Sequence, residues 1–202
     1  MDIWRKHWYD VGAVIAVLTL VLLFISKTDL YRFDFLMWGS FASVLLHQFE
    51  EYRYPGYFPG MFNKVMFNSD LPDRFPLNTQ SSLIINMGGW GLYFLAALLA
   101  QKAIWLCIVS MLVSVGNFVI HTFVFNIKGK TFYNPGMVTS ILLFLPITGY
   151  FFYYVTSEKM VTLNDFLIGI PIGMIANALV IKLVNHYKNT ETPYVFEKRQ
   201  VR

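Results

Sequence analysis

The sequence predicts an all-α membrane protein, a polytopic transmembrane helical bundle with about six spans. Of its 202 residues, 56% are hydrophobic and only 14% are charged, which is not the balance of a soluble globular domain. The apolar residues form long runs separated by short polar turns, and a helix of about 20 residues crosses the hydrocarbon core of a bilayer. We therefore expect one membrane-embedded helical domain over residues 1–188 and a polar, mobile cytoplasmic tail over residues 189–202.

Charge and cysteine content exclude several classes of protein. The net charge of +4 is dispersed, so no nucleic-acid partner is expected. Cys107 is the one cysteine, which rules out an intrachain disulfide and argues against redox chemistry. The partners implied are the lipid bilayer and a lipid or amphipathic small-molecule substrate, and the sequence does not fix an oligomeric state.

The first two spans follow directly from the N-terminus. Residues 1–10 combine tryptophan, tyrosine and basic side chains, which is typical of a membrane interface. Residues 11–26 are an unbroken apolar run that is too long for the core of a signal peptide, so we expect a retained span. A polar turn at residues 27–34 leads to a second span at residues 35–51, which becomes polar only at its end.

The long connection at residues 52–80 predicts a short interfacial helix. Two Pro-Gly pairs precede an apolar stripe with helical spacing, made of Phe58, Met61, Phe62, Val65 and Met66. Asn63 and Lys64 fall off that stripe. The helix would be a lid or lateral gate for an amphipathic substrate, or simply a loop anchored by its aromatic residues.

Four further spans complete the predicted bundle. The third, at residues 81–100, contains the stretch MGGWG at residues 87–91, whose glycines would let a neighbouring backbone come close. The fourth, at residues 103–125, places Asn117 and His121 four residues apart on one face.

The fifth span is predicted to begin at Pro135, which suits a first helical turn, and to reach residue 154 with a kink at Pro146. The sixth is predicted from a cap at Thr162 or Asn164 to residue 187. A bend is expected within it at Gly169, Pro171 and Gly173.

Basic residues predict the orientation of the chain. With six spans, Lys27, Arg32, Lys102 and Lys159 fall on one side, and the other twelve of the 16 lysines and arginines fall on the opposite side. This bias places both termini in the cytoplasm. It also brings the polar intramembrane residues to the cytoplasmic side, namely His47, Glu50, Glu51, Asn86, His121, Tyr133 and His186.

The end of the second span carries the strongest candidate site. His47, Glu50 and Glu51 stand at i, i+3 and i+4, so they share one helix face. Carboxylates at a helix C-terminus oppose the macrodipole, so a metal, a proton or a cationic partner must compensate. Imidazole and carboxylate ligands suit Zn²⁺, Fe²⁺ or Mn²⁺. The predicted ligands are His47, His121 and one of Glu50 or Glu51.

The glutamate that does not bind metal would be a general base or would fix an imidazole tautomer. Metal-bound water is a competent nucleophile near neutral pH, so hydrolysis of a lipid or lipid-linked substrate is the simplest predicted reaction. Glu50, Glu51, Tyr133 and Asn117 are the predicted catalytic residues, and Asn86 is a further polar neighbour.

Other interpretations use the same residues. A proton-coupled transporter or carrier would use the His/Glu cluster as a proton relay without metal. A non-catalytic accessory protein is a third class. Locally, Glu50 and Glu51 would mark the end of the span with Arg53 as counterion, His121 would bond a backbone carbonyl, and Asn86 and Asn117 would make interhelical hydrogen bonds.

Three motifs together resemble the HXXEE-domain membrane proteins. His47-Gln48-Phe49-Glu50-Glu51 is an HxxEE motif, His121 is a further histidine in a later span, and Tyr133-Asn134-Pro135-Gly136 fits YxPG. The resemblance covers roughly residues 30–180. It implies a site at His47, Glu50, Glu51, His121 and Tyr133, and by motif at Pro135 and Gly136, but it implies no particular activity.

Intramembrane glutamyl proteases of the CAAX-processing type offer a second comparison, because they also combine paired glutamates with later histidines. Their EExxxR motif would need arginine where Pro55 stands, and their FxxxH motif would need phenylalanine where Asn117 stands. The mismatch argues against proteolysis.

Overall fold

The fold is a bundle of long helices. A computed structural model describes residues 2–26 and 32–201, and within these residues there is no β-strand. The helices are α1 (Asp2–Ile25), α2 (Arg32–Tyr52), a short α3 (Phe58–Met61) continued by a π-helical turn (Phe62–Met66), α4 (Thr79–Leu98), α5 (Ile104–Gly129), α6 (Met137–Ser157) and α7 (Leu163–Tyr187).

Within the described part of the chain, five helices are long and apolar enough to cross a membrane: α1, α4, α5, α6 and α7. The sixth long helix, α2, has 21 residues but carries more polar side chains. Most of its residues are buried by the other helices, and a polar helix is tolerated at membrane depth when protein surrounds it. With α2 included, the structure agrees with the prediction of about six spans in a membrane protein.

Hydrogen bonds between helix ends show which ends lie together. Arg5 Nε donates to Gln80 Oε1 at 2.7 Å, so the starts of α1 and α4 are neighbours. Asn78 Nδ2 donates to the Tyr187 carbonyl at 3.1 Å, which brings the end of α7 to the same end of the bundle. The first and last described segments therefore lie at one end of the bundle.

The cytoplasmic orientation of that end remains a prediction from the lysine and arginine count. Two residues of that count, Lys27 and Arg202, lie outside the described residues, and so does the side chain of a third, Arg32. Residues 27–31 of the predicted turn also lie outside them.

Helices α5 and α7 pack closely because α7 presents glycines. A Cβ atom at Gly169 would lie 2.7 Å from the Trp105 carbonyl oxygen, and one at Gly173 would lie 2.7 Å from Leu112 Cδ1. Small residues at this spacing let two backbones approach. Gly169 and Gly173 therefore serve packing, and the helix continues from Leu163 to Tyr187 through Pro171. The bend expected there stays a prediction.

The glycines of α4 do not bring another backbone close, so that prediction was wrong. A Cβ atom at Gly88 or Gly91 would have no neighbour within 4 Å, and one at Gly89 would meet only the side chain of Gln48, with Nε2 at 3.8 Å. Gly89 instead lines a cavity inside the bundle.

The N-terminal aromatic residues belong to the core as well as to an interface. Helix α1 begins at Asp2, well before the predicted start of the first span. Trp8 and Tyr9 are almost fully buried, and the Trp8 ring lies 4.9 Å from the Tyr52 ring. These contacts join the start of α1 to the end of α2.

The predicted interfacial helix is present as α3, but its polar face differs from the prediction. The π-helical turn adds a residue and changes the register, so Asn63 is fully buried. Its amide accepts from the Leu77 N–H at 2.9 Å and donates to the carbonyls of Leu77 and Pro72. These bonds favour the anchored-loop interpretation over a lid.

The C-terminal segment is packed, whereas the sequence predicted a mobile tail. Phe196 is 5% exposed, and its N–H donates to the Asp73 carbonyl at 2.8 Å. The Tyr194 carbonyl accepts from the Thr79 N–H at 3.1 Å. The segment therefore lies across the end of the bundle at which α4 begins.

Candidate metal centre

Two histidines and one glutamate meet inside the bundle. His47 Nε2 lies 3.6 Å from Glu51 Oε1, and His121 Nε2 lies 3.2 Å from the same oxygen. One ligand atom from each of the three residues lies within 4.8 Å of the others, and all three side chains are at least nine-tenths buried. His47 and Glu51 come from successive turns of α2 and His121 comes from α5, so we call these residues the triad.

A π-helical turn and an asparagine position His121. The turn Ile120–Val124 interrupts α5, and such turns occur often at functional sites. Asn134 Nδ2 donates to the His121 carbonyl at 2.7 Å and to Asn126 Oδ1 at 2.9 Å. The Asn134 oxygen therefore faces His121 Nδ1 at 2.7 Å and must accept its proton. In the neutral imidazole, Nε2 then carries a lone pair toward Glu51.

Thr139 fixes the tautomer of His47 in the same way. Its hydroxyl donates to Glu50 Oε2 at 2.6 Å and lies 2.8 Å from His47 Nδ1. Because the single hydroxyl proton goes to the carboxylate, His47 Nδ1 must donate to the hydroxyl oxygen. His47 Nε2 is thus left with a lone pair, and this buried atom has no hydrogen-bond partner among the described residues.

Glu50 lies outside the triad, so of the two glutamates predicted as alternative ligands only Glu51 is grouped with both histidines. It accepts from the backbone N–H groups of Val138 and Thr139, at 3.2 and 2.9 Å, and from the Tyr133 hydroxyl at 3.0 Å. The two N–H groups belong to the first turn of α6, Met137–Ser157, where an anionic group is stabilised. Adjacent residues on a helix point about 100° apart, so Glu50 and Glu51 face different partners.

Tyr133 supports Glu50 and does not reach the triad through its hydroxyl. Burial raises the pKa of Tyr133, and the Glu50 carboxylate raises it further, so the phenol stays protonated and donates to Glu50.

Replacing Tyr133 by phenylalanine is expected to lower the free energy of unfolding by about 1–2 kcal/mol, because a hydrogen bond to a carboxylate is lost. Thermal unfolding in detergent would measure this loss. Tyr153→Phe is the matched control, since Tyr153 is 66% exposed. Equal stability of the two variants would contradict the assigned contact.

Gly136 lies against both histidine rings. A Cβ atom there would lie 2.4 Å from His121 Cε1 and 2.9 Å from His47 Cε1. Its φ of 100° is also a conformation that favours glycine. The same conformation explains why α6 begins at Met137 and not at Pro135 as predicted. The YxPG motif thus forms one wall of the triad.

The glutamates at this site have no lysine or arginine partner among the described residues. Among the described residues, neither Glu50 nor Glu51 pairs with a lysine or arginine, although both are over nine-tenths buried. Arg53, the alternative counterion, instead pairs with Asp10 at 3.1 Å. Two imidazole lone pairs and a carboxylate oxygen therefore face one another, an arrangement that could hold a cation.

A cavity of about 130 Å³ adjoins the triad. Asn86 and Asn117 both line it with His47 and Glu51, so the structure brings these predicted neighbours together. Each also donates to a carbonyl of its own helix, at 2.8 and 2.9 Å. His186 is exposed at the end of α7 and does not join the triad.

Two positioning residues were not predicted from the sequence. Asn134 occupies the variable position of the YxPG motif, and that place next to Tyr133 was the available signal. Thr139 lies three residues after Gly136, and nothing in its local sequence distinguishes it from other threonines. Its role depends on contacts with His47 and Glu50.

Comparison with known proteins agrees with the motifs. A family model described as "Protein of unknown function with HXXEE motif" matches residues 38–151, more than half of the chain. Comparison with curated proteins and with solved structures found no match. The matched region contains the triad, Glu50 and the whole segment 133–139 that supports them. The chain therefore belongs to the family of proteins with an HXXEE motif.

Proposed function

We propose that this protein is a membrane-embedded, metal-dependent enzyme that hydrolyses a lipid or lipid-linked substrate. The observation that carries the proposal is the convergence of His47 Nε2, His121 Nε2 and Glu51 Oε1 without a proton donor between them. In both histidines a hydrogen bond at Nδ1 fixes the tautomer of the imidazole, as is usual for histidines that bind a metal.

A divalent cation suits this arrangement better than a proton. One proton can join only two of the three acceptor atoms, whereas a metal can bind all three. A charge of +2 would also balance the two buried carboxylates of Glu51 and Glu50. Two histidines and a carboxylate bind Zn²⁺ or Fe²⁺ in other enzymes, and Mn²⁺ accepts the same ligand types. Three protein ligands leave positions open for water and substrate.

Hydrolysis is the simplest chemistry for such a site, since a bound divalent metal lowers the pKa of water to near 7. Glu51 lines the cavity, and its Oε2 has no hydrogen-bond donor among the described residues, so this oxygen can accept a proton from water. Glu50 is a poor choice of base, because its oxygens accept four hydrogen bonds. Its role is to orient Thr139 and hence His47.

The surroundings of the site support a lipid substrate. The cavity beside the triad has a mostly apolar wall, and α7 next to it carries exposed apolar side chains that suit contact with lipid. We infer from the lysine and arginine count that this end of the bundle lies at the cytoplasmic leaflet.

Metal analysis of the purified protein tests the proposal. We expect about one equivalent of Zn, Fe or Mn in the wild type and at least a tenfold loss in His121→Ala and in Glu51→Gln. His186→Ala removes an exposed histidine and should retain the metal. A folded wild type that binds no added Zn²⁺, Fe²⁺ or Mn²⁺ would overturn the proposal and would favour a proton relay in a transporter or carrier.

A further inference from the structure

We infer that the cavity beside the triad binds the carbonyl end of a fatty acyl chain and that Gln48 donates a hydrogen bond to the carbonyl oxygen. The inference rests on the proposed function, since it names a substrate class for the same site. It depends on different residues, however: Gln48, Trp90 and Gly89.

The orientation of the Gln48 amide is fixed by Trp90. The indole N–H of Trp90 can only donate a hydrogen bond, and its acceptor is Gln48 Oε1. This contact distinguishes the oxygen of the Gln48 amide from its nitrogen and so fixes the position of Nε2. Gln48 is 4% exposed, and its Nε2 has no acceptor among the residues that the structure describes. Because this amide has two unused N–H groups, it can donate to a ligand oxygen in the cavity.

The amide nitrogen is located at the wall of the cavity. Gln48 and Gly89 both line the cavity, and a Cβ atom at Gly89 would lie 3.8 Å from Gln48 Nε2. His47 and Glu51 line the same space. A carbonyl group bound to Gln48 would thus lie in the same cavity that His47 and Glu51 line.

The rest of the cavity suits a hydrocarbon chain. Its apolar wall includes Val44, Ile85, Val113, Val180 and Val184. A volume of about 130 Å³ is far above that needed for one water and below that of a typical whole-ligand pocket, so it holds only part of a substrate. Val180 both lines the cavity and is 36% exposed, so the remaining chain would leave the cavity along α7 into lipid.

A neutral head group fits better than an anionic one. No lysine or arginine is among the described residues that line the cavity. Asn117 uses its nitrogen on the Val113 carbonyl at 2.9 Å, so the group that it presents beside His47 is its Oδ1, a hydrogen-bond acceptor. A donor from Gln48 and an acceptor from Asn117 match an acyl ester or amide more closely than a phosphate.

Photolabelling with a monoacylglycerol that carries a diazirine in its acyl chain tests the inference in detergent-purified protein. We expect labelled peptides from α4 and α7 around Ile85, Val180 and Val184. Unlabelled monoacylglycerol should compete at least tenfold better than the matching alkyl glycerol ether, which lacks the carbonyl. Gln48→Leu should remove that preference.

Gly89→Ala provides a second test that leaves Gln48 itself unchanged. The new methyl group meets no atom closer than 3.8 Å, so folding should be unaffected, but it occupies the cavity next to Gln48 Nε2. Labelling should fall at least tenfold. Gly91→Ala is the matched control, because a Cβ atom there enters open space and Gly91 is not among the residues that line the cavity.

Unchanged labelling in Gly89→Ala, or an unchanged ester preference in Gln48→Leu, would overturn the inference. Metal content measured on the same samples separates the two proposals. Labelling that follows these expectations in metal-free protein would support the acyl site while contradicting the metal-dependent function. Normal metal content without specific labelling would contradict the acyl site while supporting the metal site.

Discussion

Gly136→Ala is expected to disrupt the triad and to destabilise the protein by about 2–6 kcal/mol. Backbone strain at a positive φ accounts for about 1–3 kcal/mol of this loss, and overlap of the new Cβ atom with the two imidazole rings adds about 1–3 kcal/mol. The rings cannot yield easily, because Thr139 and Asn134 hold their Nδ1 atoms. We expect bound metal to fall at least tenfold together with the unfolding temperature.

Gly149→Ala is the control for this substitution. Gly149 also lies in α6, and a Cβ atom there would have no neighbour within 4 Å. Alanine favours a helix over glycine by about 1 kcal/mol, so the control should be neutral or slightly stabilising. Metal analysis and thermal unfolding of both variants in detergent would measure the contrast. A Gly136→Ala protein with wild-type metal content would show that the rings are not held as described.

The part of the site that is local in sequence was predicted. His47 and Glu51 are four residues apart, and helical geometry alone places them together. The pairing of His121 with them followed from the depth expected for each span, and the structure confirms that these three residues meet.

Spacing could not predict that Glu51 joins the triad while Glu50 bonds the start of α6. Both glutamates are within reach of His47 on an ideal helix. The choice depends on the start of α6, whose N–H groups bond Glu50 from 88 and 89 residues away. The π-helical turns that shift Asn63 and set the position of His121 have no local sequence signal either, because they depend on packing between helices.

The C-terminal segment supplies a cationic partner for the end of α2, which was expected on electrostatic grounds but not located. Arg199 donates to the carbonyls of Tyr52 and Arg53, at 3.0 and 3.1 Å, and to the Tyr9 hydroxyl at 2.7 Å. Gln200 Nε2 adds a bond to the Tyr52 carbonyl at 2.9 Å. These groups satisfy the final carbonyls of the helix that carries Glu51, and the guanidinium opposes the negative end of its dipole.

Removal of residues 189–202 is therefore expected to lower the free energy of unfolding by about 3–5 kcal/mol, through loss of buried Phe196 and of the hydrogen bonds to α2. The Gly60 backbone would also lose its contact with Val201, since a Cβ atom at Gly60 would lie 2.5 Å from Val201 Cα. Thermal unfolding followed by tryptophan fluorescence would measure the effect. A mobile tail would instead leave stability unchanged.

Arg199→Ala isolates the cationic part of this contact and should lower the free energy of unfolding by about 1–3 kcal/mol. Lys198→Ala is the matched control, because Lys198 is exposed and has no side-chain hydrogen bond or ion pair among the described residues. Both variants remove one positive charge, so a change in net charge would affect them equally. Only a specific role at the end of α2 predicts a larger loss for Arg199, and equal stability of the two variants would exclude that role.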